Sequence, residues 1–153
     1  MFENNLIAGV SGQGGGYSIE DSLRFNDDDS AYLSRTPSVA GNRKTWTWSG
    51  WVKRGNINGV RQTIFGTSNP AGNDYFVLEF KADNTLFISA NNGSVSVQIN
   101  LITNAVFRDT SGWYHIQINL DTSQATSTDR VNIYVNGVSQ SFSSATYPPL
   151  NYD

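Results

Sequence analysis

His115 is the single histidine of a chain that contains no cysteine. A zinc centre built on His or Cys needs several such ligands, and a Cys–His pair needs a thiol, so both chemistries are excluded. A Ser–His–Asp relay needs a nucleophile held on a sharp turn, and no G-x-S-x-G or comparable elbow occurs. At strand period, His115 shares a polar face with Trp113 and Gln117. It therefore reads as a partly exposed strand histidine that can contact a ligand or partner, not as a catalytic base. Hydrolysis of a glycosidic bond needs two carboxylates about 5–9 Å apart. Glutamate occurs only at Glu3, Glu20 and Glu79, and Glu79 has Val77 and Lys81 as its same-face neighbours, with Asp83 beyond at a turn. No catalytic residue is assigned, and the expectation is a protein that is not an enzyme.

Two further sets of residues could bind without reacting. Asp27, Asp28 and Asp29 are consecutive and could offer oxygen ligands to calcium, a hard cation. Their spacing is not that of an EF-hand, and distant loops would have to add carbonyls. An exposed acidic turn is the simpler reading, so no cofactor is expected and calcium stays as the alternative. The four tryptophans are Trp46, Trp48, Trp51 and Trp113. Aromatic rings on a sheet fill a core or stack against a ligand. Trp46 and Trp48 share a face with Gly50 and Val52, which suits burial. Trp51 and Trp113 fall on polar faces, where they could line a concave surface or lie under another chain. Trp51, Trp113 and His115 are thus the candidate contact residues.

Short strands must carry these residues. TWTWSGWVKR (45–54), RQTIFGT (61–67), DYFVLEFKA (74–82), TLFISA (85–90) and SVSVQINL (94–101) follow one another with Gly, Asn and Asp between them. In 94–101 the alternation puts Val95, Val97, Ile99 and Leu101 on one face, which predicts one buried and one wet side. From Trp113, residues Tyr114, Ile116, Ile118 and Leu120 form an apolar face. Val131, Ile133 and Val135 do the same after the polar loop 122–129. Asn136-Gly137 predicts a type I′ hairpin into VSQSF (138–142), because that turn needs positive φ at both central positions. Earlier, SLRF (22–25) and AYLS (31–34) flank the acidic turn. No helical stripe, heptad or internal repeat is present. About ten antiparallel strands with one-sided patterning predict an all-β, two-sheet sandwich of jelly-roll type. Its boundaries are 22–146, after a Gly-rich arm over 1–21 and before a tail, or the start of a continuation, over 147–153.

Bulk properties narrow the partners. Net charge is -3, only 15% of residues are charged, and no basic cluster exceeds Arg43-Lys44 or Lys53-Arg54. That argues against nucleic acid and against a polybasic membrane patch. Leu6-Ile7-Ala8-Gly9-Val10 is too short for a signal-peptide core, and no stretch approaches the roughly 20 apolar residues of a span. A soluble chain, not exported by the usual route, is expected.

Four motifs taken together resemble the laminin G-like, concanavalin A-like jelly-roll domains. They are Phe25 with Tyr32-Leu33, Trp51-Val52-Lys53, Trp113-Tyr114-His115 and Tyr134-Val135-Asn136-Gly137. The block SLRFNDDDSAYLSRTPSVAGNRKTWTWSGWVKRG (22–55) is in addition similar to structural proteins of marine bacteriophages, tail fibres among them. The resemblance covers about residues 22–140. It implies a virion structural protein, a tail-fibre module or capsid-surface decoration, assembled in the host cytoplasm. The expected partners are other virion proteins, met through the arm over 1–21. A homo-oligomer is expected, with a trimer favoured by analogy. A carbohydrate-binding module that recognises host-surface glycans is the alternative.

Overall fold

A computed structural model describes residues 32, 34, 36–69, 71–93 and 97–153. The arm over 1–21, the strand over 22–25, residues 31 and 33 of the strand over 31–34, and the turn Asp27-Asp28-Asp29 lie outside these residues. The chain divides into two compact units, Met1–Val39 and Ala40–Asp153. The second unit holds nine strands: β1 (Thr45–Val52), β2 (Gln62–Ser68), β3 (Asp74–Phe80), β4 (Thr85–Asn92), β5 (Ile99–Val106), β6 (Tyr114–Asp121), β7 (Val131–Val135), β8 (Val138–Ser139) and β9 (Phe142–Thr146). They form a four-stranded sheet ordered β1-β6-β7-β8 and a five-stranded sheet ordered β2-β3-β4-β5-β9, with every pairing antiparallel. The unit is the expected two-sheet sandwich.

The core is the sum of the inward residues. Ile116, Ile118 and Leu120 meet Val131, Ile133 and Val135 across one ladder, and Leu78, Phe80, Leu86, Ile88, Ile99 and Leu101 face them from the other sheet; all are buried. Trp46 and Trp48 also point inward. Trp46 lies edge-on to Phe76 with ring centroids 5.1 Å apart, and Trp48 lies 6.0 Å from Phe65. Full burial of such side chains contributes roughly 1.5–3 kcal/mol each. Asn136 and Gly137 have φ of 51° and 78°, as the hairpin prediction requires.

Two sequence readings need correction. Of the strand expected over 94–101, residues 94–96 lie outside the described residues, Val97 and Gln98 are not in a strand, and β5 runs from Ile99 on to Val106, with Val97 43% exposed. Pairing extends further because Thr103 hides a hydroxyl that the alternation rule counts as polar. Its Oγ1 accepts from Leu86 N (3.0 Å) and donates to Ala105 O (2.8 Å), which replaces a ladder bond where the β4–β5 register shifts. VSQSF is not one strand. β8 stays in the four-stranded sheet, and after Gln140-Ser141 the chain crosses to pair β9 with β5. On the face of β3 opposite the core, Glu79 is 4% exposed, and its Oε1 accepts from Arg61 Nη1 at 2.7 Å.

Arg54, just past β1, closes one end of the sandwich. It is 3% exposed, and among the described residues no carboxylate pairs with it. Its guanidinium donates to Gln62 Oε1 twice (2.9 and 2.8 Å), to Asn84 Oδ1 (2.9 Å) and to Phe107 O (2.6 Å), and it stacks 4.6 Å from the centroid of Phe80. Burial lowers its pKa and nearby Tyr114 opposes the shift, but an arginine stays protonated. Arg130 plays the same part at the 122–130 loop, where its acceptors among the described residues are the backbone carbonyls of Gln124, Ala125 and Pro148.

Candidate functional site

The polar alternation of β1 and β6 puts Thr45, Thr47, Ser49 and Trp51 on the outer face of the four-stranded sheet, beside His115, Gln117, Asn119 and Asp121. Tyr134 and Asn132 of β7 continue this face opposite Gln117 and Asn119. Trp51 and His115 are direct cross-strand partners. Their ring centroids are 5.1 Å apart with planes inclined at 49°, and Trp51 remains 66% exposed.

His115 is held from two sides. Its Nε2 lies 2.9 Å from Ser49 Oγ. Its backbone N donates to Asn136 Oδ1 (2.8 Å), and its carbonyl accepts from Asn136 N (2.8 Å). The turn residue Asn136 therefore fixes the strand end on which the imidazole sits. Further along, Asn119 Oδ1 accepts from Gln117 Nε2 (2.9 Å) and Thr47 Oγ1 (3.3 Å). The result is a flat row of mutually paired polar groups with one large aromatic ring standing exposed at its end.

Trp113 lies one residue before β6 and is 59% exposed. Among the described residues its ring joins neither Trp51 nor His115 in an aromatic pair, so the face unites two of the three predicted contact residues. The loop carrying Trp113 is organised by Asp109. That carboxylate accepts from Ser111 Oγ (2.6 Å), Ser111 N (2.8 Å) and Gly112 N (3.2 Å), and these bonds, the Ser111 hydroxyl first, hold its pKa below the usual carboxylate value. A Cβ on Gly112 would sit 2.8 Å from Asp109 Oδ2, which fits glycine there. Asp121 is lowered in the same way, chiefly by the Ser123 hydroxyl and then by Gln124.

Sequence reading missed Ser49, Asn119, Tyr134 and Asn136. Strand period separates polar from apolar faces, but only cross-strand register shows which polar groups reach His115 or one another. Glu79 faces Thr63 and Phe87 across its two ladders, neither of them acidic. Among the described residues no three His, Asp or Glu side chains gather as a metal-binding group. The calcium candidates Asp27, Asp28 and Asp29 lie outside the described residues.

Compared with known proteins, the chain matches the family model of the concanavalin A-like lectin/glucanases superfamily over residues 25–153. No curated protein and no solved structure matches it.

Proposed function

This chain belongs to the concanavalin A-like lectin/glucanases superfamily, and from that premise we propose a non-enzymatic module that acts by contact through the outer face of the four-stranded sheet. The observation that carries the reading is Trp51, two-thirds exposed against His115 on a face whose other polar groups are largely paired. An indole buries on the order of 150–250 Å² when covered, which makes it the strongest single contact such a face can offer. The superfamily name spans binders and hydrolases. The binding reading is supported by the surroundings of Glu79, which is ion-paired to Arg61 and has no second carboxylate across either ladder.

The biological setting we propose is a phage virion, with the module in a tail fibre or on the capsid surface. The arm over 1–21 meets other virion proteins, and the module assembles as a homo-oligomer, a trimer by analogy. Motif similarity over 22–55 supports this setting. Mass spectrometry of purified particles of the encoding virus checks it: the chain should be a stoichiometric component, and its absence would defeat the virion assignment. Truncation of residues 1–21 should abolish incorporation, and normal incorporation would remove the arm as anchor.

Host-surface glycan as the ligand is the second reading, favoured by the exposed ring of Trp51 at the end of a polar row that runs through His115, Gln117 and Asn119. A pyranose ring stacked on the indole would present its hydroxyls to the near end of that row, at His115 and Ser49. A glycan array should give hits that Trp51→Ala abolishes while the melting temperature stays within a few degrees. A folded wild-type chain with no hit would eliminate the glycan reading.

A further inference from the structure

Asparagine followed by glycine can cyclise on itself. The glycine backbone nitrogen attacks the side-chain Cγ, ammonia leaves, and water reopens the imide ring to aspartate or isoaspartate. Glycine suits this chemistry because no Cβ shields its nitrogen. The chain holds three such pairs, Asn58-Gly59, Asn92-Gly93 and Asn136-Gly137, and all three are among the described residues. Attack needs the reacting atoms aligned at about 3–3.5 Å. What each amide and each nitrogen is already bonded to therefore decides which pair reacts.

In two pairs one reactant is held elsewhere. Gly93 N, the nucleophile of its pair, donates to Asn73 O (3.0 Å) just beyond the Asp74–Asn92 step of the β3–β4 ladder. Asn136 Oδ1 accepts from His115 N (2.8 Å), which holds that carboxamide on β6. Asn58-Gly59 differs. It lies between β1 and β2, in a segment exposed throughout from Gly55 to Val60. Gln62 Nε2 ties down Asn56, through its backbone O (3.2 Å) and its Oδ1 (3.0 Å). Among the described residues no backbone carbonyl accepts from Gly59 N. Asn58 Oδ1 accepts from Val60 N at 3.4 Å, so the carboxamide is folded back along its own chain. Oδ1 is the atom that becomes the oxyanion when Gly59 N attacks, and a donor aimed at it stabilises that charge as it develops.

We propose that Asn58 is a site of spontaneous intramolecular modification, converted to aspartate and isoaspartate in the folded protein ahead of Asn92 and Asn136, with Val60 N–H as the donor to the developing oxyanion. Gly59 N loses its proton to hydroxide and forms a bond to Cγ, and the Cγ–Nδ2 bond breaks with Nδ2 leaving as ammonia. Water then adds to one imide carbonyl and opens the ring, to aspartate by one route and to isoaspartate by the other. No oxidant, cofactor or enzyme takes part. Each event adds one negative charge to the formal -3 of the chain. Asn136, which holds the strand end carrying His115, stays an amide, so the outer face keeps its geometry while charge collects in the 55–60 segment.

The test incubates the whole chain in mildly alkaline buffer, folded in one arm and in concentrated urea in the other. Peptide mapping by mass spectrometry follows the three amides, and electron-transfer fragmentation separates aspartate from isoaspartate. In the folded chain Asn58 should convert about tenfold faster than Asn92 or Asn136, where a bonded group must first open. In urea the three rates should draw within about threefold of one another, because the protecting bonds are gone. Val60→Pro removes the N–H and should slow Asn58 by about threefold or more, whereas Val60→Ala keeps it and should not. Circular dichroism reports whether each variant is folded, and the comparison of folded with unfolded wild type carries the test if Val60→Pro is not. Equal rates at the three sites of the folded chain, a faster Asn92 or Asn136, or an Asn58 that stays intact would overturn the proposal. A folded Val60→Pro variant that reacts as fast as wild type would strike Val60 N–H from the mechanism.

Discussion

Replacing Arg54 with methionine would keep an unbranched apolar stem over Phe80 and remove every hydrogen bond of the guanidinium. Two of its acceptors, Asn84 Oδ1 and Phe107 O, are in buried contacts, whereas Gln62 is part-exposed and its amide also reaches Asn56. Each buried acceptor left without a donor costs about 1–3 kcal/mol. Relief of the desolvation of a buried cation offsets part of that loss. A net destabilisation of about 2–3 kcal/mol is expected, and for a unit of this size that lowers the melting temperature by roughly 10 °C. Arg54→Lys should fall between the two, because one ammonium cannot reproduce a planar fork directed at three segments. Differential scanning calorimetry of the three proteins at neutral pH decides the matter. A methionine variant within about 3 °C of wild type would mean that the bonds of Arg54 merely cancel its desolvation, and the account of how this end of the sandwich closes would be wrong.

Thr103→Val preserves shape but strips the hydroxyl that Leu86 N bonds to, so urea denaturation should show a loss of about 1–3 kcal/mol, and no loss would contradict the role given to that bond. Gly137→Ala places a Cβ at φ 78° and should cost about 1–2 kcal/mol, seen as faster amide exchange in β7 and β8 than in β3 and β4. Asp109 has its folded pKa depressed by Ser111 and Gly112, so its stabilising contribution is fully present above the unfolded value of about 3.9 and is lost as pH falls through the lower folded value. Asp109→Asn keeps an acceptor for those donors but does not titrate, so its melting temperature should fall less steeply with pH below about 4 than that of wild type. Parallel curves would rule this out.

What the sequence made legible is the part of the fold that period two encodes. The alternations in β6 and β7 named Ile116, Ile118, Leu120, Val131, Ile133 and Val135 as one buried layer, and all six are at most 5% exposed. The Asn136-Gly137 turn was legible because its backbone conformation is expensive for other residue types. The misreadings occur where a polar group is satisfied inside. Thr103 broke the pattern of β5 because its hydroxyl has two backbone partners, and the burial of Glu79 had no local signal because its partner Arg61 stands just before a different strand, β2. The crossing from β8 to β9 had no local signal, since Gln140-Ser141 is compatible with one continuous strand. Pairing with β5 is what separates the two.

The candidate site shows the same division at finer scale. Trp51 and His115 were each recognisable as an awkward residue on a polar face, one too apolar for its place and the other chemically distinctive. Their contact depends on the register of β1 against β6, a long-range property: shifting that pairing by one residue would turn every side chain of β1 over and bury Trp51 in place of Trp48. The register is set by the inward row, where Trp46, Trp48, Gly50 and Val52 must meet Leu120, Ile118, Ile116 and Tyr114. Gly50 leaves room for the Trp48 ring, because a Cβ there would lie 3.0 Å from Trp48 Cη2. The fit of the core thus places Trp51 beside His115 on the opposite face. A substitution that disturbs the Trp48–Gly50 packing should therefore weaken contact at the outer face without altering any residue on it.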